Sequence, residues 1–323
     1  MTSNEGNDRV DYRSLGRTDL RSSVIGFGCG RIASLTRIHR RREIMATLDE
    51  AFEMGINFFD TANSYGQGGS ERLLGKVIRG RRLQAIICTK AGYLFGGMRR
   101  FVKMVKASRA FASRRSGSAH RASCVMCAPS PGQNFAAEYI TASLEGSLRR
   151  LETDYVDLFL LHDPPRSVIA EGTALHAIER LQRRGLVRYY GVSCVNTQDA
   201  LFCLEIPGIS VLEVACNPFH PDILDGFLTR AARRSVAIIA RSPFAHGRVL
   251  RDSRLQHSVT QDPLRTSAQT VLRAMMQLPG IDVVLAGMAT RSHLVENVGA
   301  VAAPPLSPEE MARFCDLASA PKG

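Results

Sequence analysis

Along the chain, short apolar runs alternate with longer stretches in which apolar residues recur every three or four positions. The first run, "VIGFG" at 24–28, leads into a helical pattern, "REIMATLDEAFEMG", that stops at Gly55, a glycine at the position where helices commonly end. The same couple returns as "INFFDTA" with "SERLLGKVI", then as "LQAIICTK" with, after a long interval, "AAEYITASLEGSLRRL". "YVDLFLLH" precedes "GTALHAIERLQRRG", "VRYYGVS" precedes "TQDALFCLE", and "VLEVACNP" precedes "DILDGFLTRAARRS". The last two couples are "VAIIARSP" with "DPLRTSAQTVLRAMMQL" and "IDVVLAG" with "RSHLVENVGA". The runs are rich in Val, Ile, Leu and Phe and alternate little with polar residues, the pattern of parallel strands covered on both faces. Eight strand–helix units predict an α/β fold in which the strands close into a (β/α)8 TIM barrel. An open doubly wound sheet would carry a G-x-G-x-x-G turn after its first strand, and "GFGCG" is too short and wrongly spaced for one. Ahead of the first strand, "YRSLGRTDLRSSV" predicts a β-hairpin turning at Gly16 to Asp19 and placed to close the barrel's bottom. Residues 1–323 are thereby expected to form a single barrel domain.

One interval breaks the rhythm. Residues 92–134 separate the third strand from its helix, far more chain than a βα connection needs. Arg99, Arg100, Lys103, Lys106, Arg109, Arg114, Arg115 and Arg121 all fall there with no acidic residue among them. Much of the formal charge of +12 is therefore concentrated in one insertion, at the barrel end where active sites are built. Such charge suits a lid over an anionic substrate. "MRRFVKMVKASRAFASRR" can also be drawn as a basic amphipathic helix able to rest on anionic lipid, the less favoured reading. Nucleic acid is not expected as a partner, because no binding fold or stacking platform accompanies the charge. His120, Cys124 and Cys127 offer three zinc ligands where a structural site needs four, so no metal is expected. The eight cysteines lie scattered, several inside apolar runs, as buried reduced thiols do. The polar opening "MTSNEGNDRV" does not read as a secretory signal, and no run is long enough to span a bilayer, so a cytoplasmic location is expected. Oligomeric state is not legible.

Candidate chemistry gathers at the strand ends. Asp60 ends the second strand, Lys90 the third and His162 the fourth, while Tyr65 stands in the loop after the second. In a barrel these ends converge on one mouth. A phenol beside an ammonium is expected to have its pKa drawn below the ordinary value near 10, which makes it a better general acid. Asp60 would hold Lys90 charged, and the His162 imidazole would donate to the oxygen that Tyr65 protonates. A carbonyl that accepts a hydride needs such donors where negative charge develops.

These segments resemble the aldo-keto reductase family. "GINFFDTANSYGQGGSERLLG" resembles the family's second-strand signature, "LLHDPP" its histidine strand, "GVSC" its amide-holding serine motif, "ARSPFAHG" its pyrophosphate loop and "GMATRSHLVEN" its adenosine-end loop. The likeness runs in order from about Tyr12 to Val301, with the insertion outside it. It implies a metal-free oxidoreductase that passes a hydride between a nicotinamide cofactor, usually NADPH with NADH possible, and a carbonyl or alcohol. Asp60, Tyr65, Lys90 and His162 then take the catalytic roles, Tyr65 as acid or base. The small-molecule substrate could be anionic.

The same resemblance implies a cofactor site. Gly28, Cys29 and Asp60 would border it, and Ser193 and Cys194 would hold the nicotinamide amide, with Cys216 near the usual place of a glutamine. Arg241 stands where an aromatic often stacks, and Ser242, Pro243, Phe244, Gly247 and Arg248 would line the pyrophosphate. Gly287, Met288, Thr290, Arg291, His293, Glu296 and Asn297 would enclose the adenosine, with Arg248 and Arg291 as candidates for a 2′-phosphate. The unusual Cys194, Cys216 and Arg241 also leave room for a cofactor-binding regulatory or scaffolding subunit with little turnover.

Overall fold

The computed structural model describes residues 10–33, 40–94, 132–223, 226–255 and 265–319. Nearly all of the basic insertion, with His120, Cys124 and Cys127, lies outside these residues. Among the described residues no helix is long and apolar enough to cross a membrane.

The predicted hairpin forms from β1 (Tyr12–Ser14) and β2 (Arg21–Ser23), paired antiparallel with Tyr12 opposite Ser23. Eight parallel strands follow: β3 (Ile25–Gly28), β4 (Phe58–Asp60), β5 (Ile86–Ala91), β6 (Val156–His162), β7 (Val187–Cys194), β8 (Val211–Ala215), β9 (Ala237–Arg241) and β10 (Val283–Gly287). They pair in sequence order, and β10 pairs with β3 to close the barrel. Helices including α1 (Arg41–Glu53), α2 (Gly69–Ile78) and α3 (Ala137–Leu151) bury one face each against the outside of the sheet.

Two apolar clusters follow from the period-two alternation of a strand. The larger fills the space between strands and helices. The smaller lies inside the barrel and holds Phe58, Ile86, Cys88, Leu158, Leu160, Val211, Ala237, Ile239, Val283 and Leu285. Leu15 and Leu20 of the hairpin belong to this inner cluster, so the hairpin plugs the bottom as its position in the sequence suggests. Its turn depends on Gly16, whose φ is +48°; a Cβ there would meet Ser235 O and Ala237 N at 2.6 Å.

The apolar inner layers end at the top. Adding two to the last inward apolar position of β4, β5, β6, β8 and β9 gives Asp60, Lys90, His162, Glu213 and Arg241. The barrel thus carries a charged cap on an apolar core, at the C-terminal ends where this fold builds its sites. The β7–β8 seam beneath that cap is tight: a Cβ on Gly191 would lie 1.8 Å from the Val211 carbonyl oxygen. Gly191→Ala is expected to cost roughly 3 kcal/mol through forced separation of the two strands, read as a lowered urea midpoint.

Candidate active site

Lys90 organises the cap. It is fully buried, and its Nζ pairs with Asp60 Oδ1 on β4 and, at 3.0 Å, with Glu213 Oε2 on β8. The Thr61 carbonyl accepts a further hydrogen bond from Nζ at 3.3 Å. Burial works against the ammonium, but Asp60 and Glu213 more than offset it and hold the Lys90 pKa well above the ordinary lysine value. The group is therefore a permanent positive charge.

Tyr65 reaches this charge from the loop after β4. Gly66, at φ +54°, sets the turn, and its Cα faces Ala33 so closely that a Cβ would meet the Ala33 carbonyl oxygen at 2.3 Å. The Lys90 ammonium lies 5.4 Å from the centre of the Tyr65 ring, and the imidazole of His162 meets the same ring edge-on with centroids 5.7 Å apart. Tyr93 closes the other side of His162 at 4.7 Å. The four predicted groups are thus neighbours.

Their protonation differs from the sequence expectation at one point. Burial pushes the Tyr65 phenol above its ordinary pKa, and Lys90 only partly counters it. The expected lowering is overturned because burial outweighs the ammonium's pull, which Asp60 and Glu213 also oppose. Tyr65 consequently stays a protonated donor at neutral pH. Burial, reinforced by Lys90 and Arg241, holds the His162 imidazole well below its ordinary value, so it is neutral and carries an N–H on one nitrogen.

Beside this group opens a cleft of about 520 Å³, within the range of small-molecule sites. Asp60, Tyr65, Glu213 and Arg241 form its inner end, and Gly287, His293, Glu296 and Asn297 its outer end. Gly28 and the segment Ser242, Pro243, Phe244 and Gly247 line the stretch between. Ser242, Ala245 and His246 hold φ values of +58°, +44° and +57°. Left-handed backbone at non-glycine residues costs about 1 kcal/mol or more each and concentrates at ligand sites, where it turns successive N–H groups toward an anion. A cleft of this volume beside Tyr65, with left-handed backbone at Ser242 and His246 on its wall, has room for a nucleotide cofactor.

Other predicted cofactor residues stand elsewhere. Ser193 lies buried in the cap, its hydroxyl donating to Asp163 Oδ1 at 3.3 Å and Glu213 Oε1 at 3.4 Å. Cys29, Cys194, Cys216 and Met288 are buried and do not line the cleft. For Cys194 the reason is parity, since it neighbours the inward Ser193 on β7 and so points outward; Cys29 follows the end of β3. Cys216 follows the end of β8, and burial pushes its thiol up to about 12. Thr290 caps the helix Arg291–Ala302 (Oγ1 accepts from His293 N), and Arg291 pairs with Glu50 of α1 at 2.8 Å. The Arg248 guanidinium lies over the Phe219 ring at 5.1 Å. Neither arginine lines the cleft, whereas Arg31, His246 and His293 do.

Glu213 was missed by sequence reasoning, although the signal was present: it is the acidic residue in the buried run "VLEVA", two positions beyond the inward Val211. It also faces the Arg241 guanidinium, Nε to Oε1 at 3.7 Å, while Arg241 Nη2 lies 3.5 Å from Asp163 Oδ1. Burial, reinforced by Asp60, pushes the Glu213 carboxyl up to about 7 against the pull of Lys90 and Arg241.

Comparison with known proteins agrees with the fold. The family model for the aldo/keto reductase family matches residues 24–318. The chain belongs to the aldo/keto reductase family. Members of the family are oxidoreductases that use nicotinamide cofactors. L-galactose dehydrogenase of Arabidopsis thaliana is 25% identical over 317 residues, covering 91% of this chain and 88% of the relative. Methylglyoxal reductase YeaE of Escherichia coli (strain K12) is 26% identical, covering 88% and 87%. Among solved structures, the holo form of an aldo-keto reductase from Bacillus halodurans superposes with a TM-score of 0.74 at 26% identity, covering 95% of this chain and 96% of that one. An aldo/keto reductase from Klebsiella pneumoniae in complex with NADP and acetate gives 0.70 at 25% identity, covering 96% and 95%.

Proposed function

We infer that this protein transfers a hydride between NADPH and an aldehyde or ketone, or the reverse from the corresponding alcohol, with Tyr65 as proton donor and acceptor. The observation that carries the reading is the meeting of Tyr65, Lys90, Asp60 and His162 at the inner end of a dinucleotide-sized cleft.

When bound, NADPH supplies the hydride. Everything else is the work of the chain. Tyr65 holds a proton at its hydroxyl and gives it to the carbonyl oxygen as the carbon beside it accepts the hydride, so that an alcohol leaves and no free alkoxide forms. Neutral His162 offers an N–H to the same oxygen and orients the carbonyl. Lys90 stabilises the phenolate left on Tyr65 until solvent returns the proton; Asp60 and Glu213 keep that ammonium charged in a buried position. Leu285, Ala286 and Phe244 give the cleft apolar walls that exclude water from the hydride's path.

NADPH is favoured over NADH by the NADP-bound relatives, and a 2′-phosphate would find His293 on the cleft wall. The test is consumption of NADPH absorbance with a panel of aldehydes, ketones and anionic sugars, repeated with NADH. Turnover with at least one carbonyl, faster with NADPH, is expected. Tight NADPH binding with no turnover on any substrate would instead favour a cofactor-binding regulatory subunit.

His162→Ala should lower kcat by about a hundredfold to a thousandfold through loss of one oxygen-directed hydrogen bond. Because His162 is neutral, the wild-type pH–rate profile should show no inflection from its titration between neutrality and the alkaline limb. Steady-state rates across pH check both.

A further inference from the structure

The charged cap does not balance. Its carboxylates are Asp60 on β4, Asp163 after β6 and Glu213 on β8; its cations are Lys90 on β5 and Arg241 on β9. With all five ionised the cap carries one uncompensated negative charge. Glu213 sits at the junction, with one oxygen toward each cation, is only 2% exposed, and still contributes to the cleft wall beside Tyr65.

On the reading that the cleft takes a nicotinamide beside Tyr65, this excess has a direction. The ring is neutral when reduced and cationic when oxidised. A buried carboxylate at its side attracts only the oxidised form, and low dielectric makes that attraction larger than in water. We propose that Glu213 is a positioning residue that biases the cleft toward the oxidised cofactor, supplying negative charge where positive charge develops as the hydride departs. A neutral amide of the same shape would hold the ring equally in either state. The consequence is a cofactor preference tied to pH, with oxidised cofactor released more slowly above neutrality than below it.

The other titratable groups facing Glu213 do not change charge near neutral pH in a way that would imitate this. Lys90 stays an ammonium, and burial keeps the Tyr65 phenol and the Cys88 thiol protonated. His162 stays neutral. Two further carboxyls face it: Asp60, paired with Lys90, and Asp163, raised by burial and drawn back down by Arg241. A Glu213 variant separates their contribution from that of Glu213.

The sign is fixed by the direction of charge. A carboxyl near 7 is half protonated at neutrality and ionises as pH rises, so preference for the oxidised form must grow with pH and fade in acid. By linkage, binding of the oxidised form should also draw a proton off Glu213.

The test is titration calorimetry of NADP+ and NADPH on the full chain between about pH 6 and pH 8.5, in two buffers of different ionisation enthalpy. The cofactor phosphates are common to both ligands and cancel in the ratio of dissociation constants. In the wild type the ratio of the NADPH to the NADP+ dissociation constant should rise about tenfold across the range, with more protons released near neutrality when NADP+ binds than when NADPH binds; that difference is the release attributed to Glu213. Glu213→Gln should flatten the ratio and abolish that release while both ligands still bind. The wild-type arm requires no variant to fold. Binding of both forms with a ratio independent of pH, or unchanged by Glu213→Gln, overturns the role of Glu213 and leaves the hydride-transfer reading standing. Failure of the wild type to bind either form overturns both.

Discussion

Tyr65→Phe is expected to lower kcat by between about a hundredfold and ten-thousandfold while changing the NADPH dissociation constant less than about threefold. The phenol and phenyl rings share their packing against His162 and beneath Gly30, so the barrel mouth keeps its shape. What disappears is one proton donor. A loss in kcat with unaltered cofactor binding separates a proton-transfer role from a structural one, because a collapsed loop would loosen NADPH as well. The check is stopped-flow single turnover beside fluorescence titration of NADPH. Equal loss of binding and rate would point to Tyr65 as a wall of the cleft and no more.

Lys90→Met has the largest expected effect on the fold itself. The methionine fills a similar volume but leaves Asp60 and Glu213 facing one another inside the barrel without the cation that holds them. Breaking a buried ion pair from one side costs about 3–5 kcal/mol, most of it the desolvation of the charge left behind. The defect should be smaller in acid, where a proton can neutralise one carboxylate, so the gap between wild type and variant in urea midpoint should narrow as pH falls from neutrality. The double variant Lys90→Met, Glu213→Gln should recover part of the stability and none of the activity. A pH-independent gap would argue that the loss comes from packing and not from charge.

Much of the fold is legible in the chain because a closed parallel sheet imposes the same pattern eight times. Apolar runs mark the strands, and the hairpin announces itself by Gly16 between two short polar strands. Asp60, Lys90 and His162 are legible because each ends an apolar run with a polar residue. Glu213 was hidden by the opposite circumstance: apolar Val214 and Ala215 follow it, so it reads as an interruption and not as an end. The two-residue spacing from Val211 is the trace it leaves in the sequence, and its pairing with Lys90 shows that it faces inward.

Where sequence reasoning departs from the structure, long-range physics is the reason. An ammonium beside a phenol predicts a lowered pKa, yet burial and two carboxylates from other strands raise it. Arg291 and Arg248 offer charge at suitable places along the chain, but one is drawn to Glu50 on α1 and the other to the ring of Phe219. Cys216 follows the end of β8 and is buried off the cleft, whereas Glu213, inside the strand, lies on the cleft wall.

On the proposed function, the cofactor's hydride passes directly to a carbonyl carbon held against Tyr65 and His162. Its most direct test uses NADPH carrying deuterium on both faces of C4, with the best aldehyde from the substrate panel and mass spectrometry of the product alcohol. One deuterium is expected on the carbinol carbon of every product molecule, none exchanged with water, and product formation suppressed in Tyr65→Phe. Product lacking deuterium, or label appearing in solvent, would contradict it.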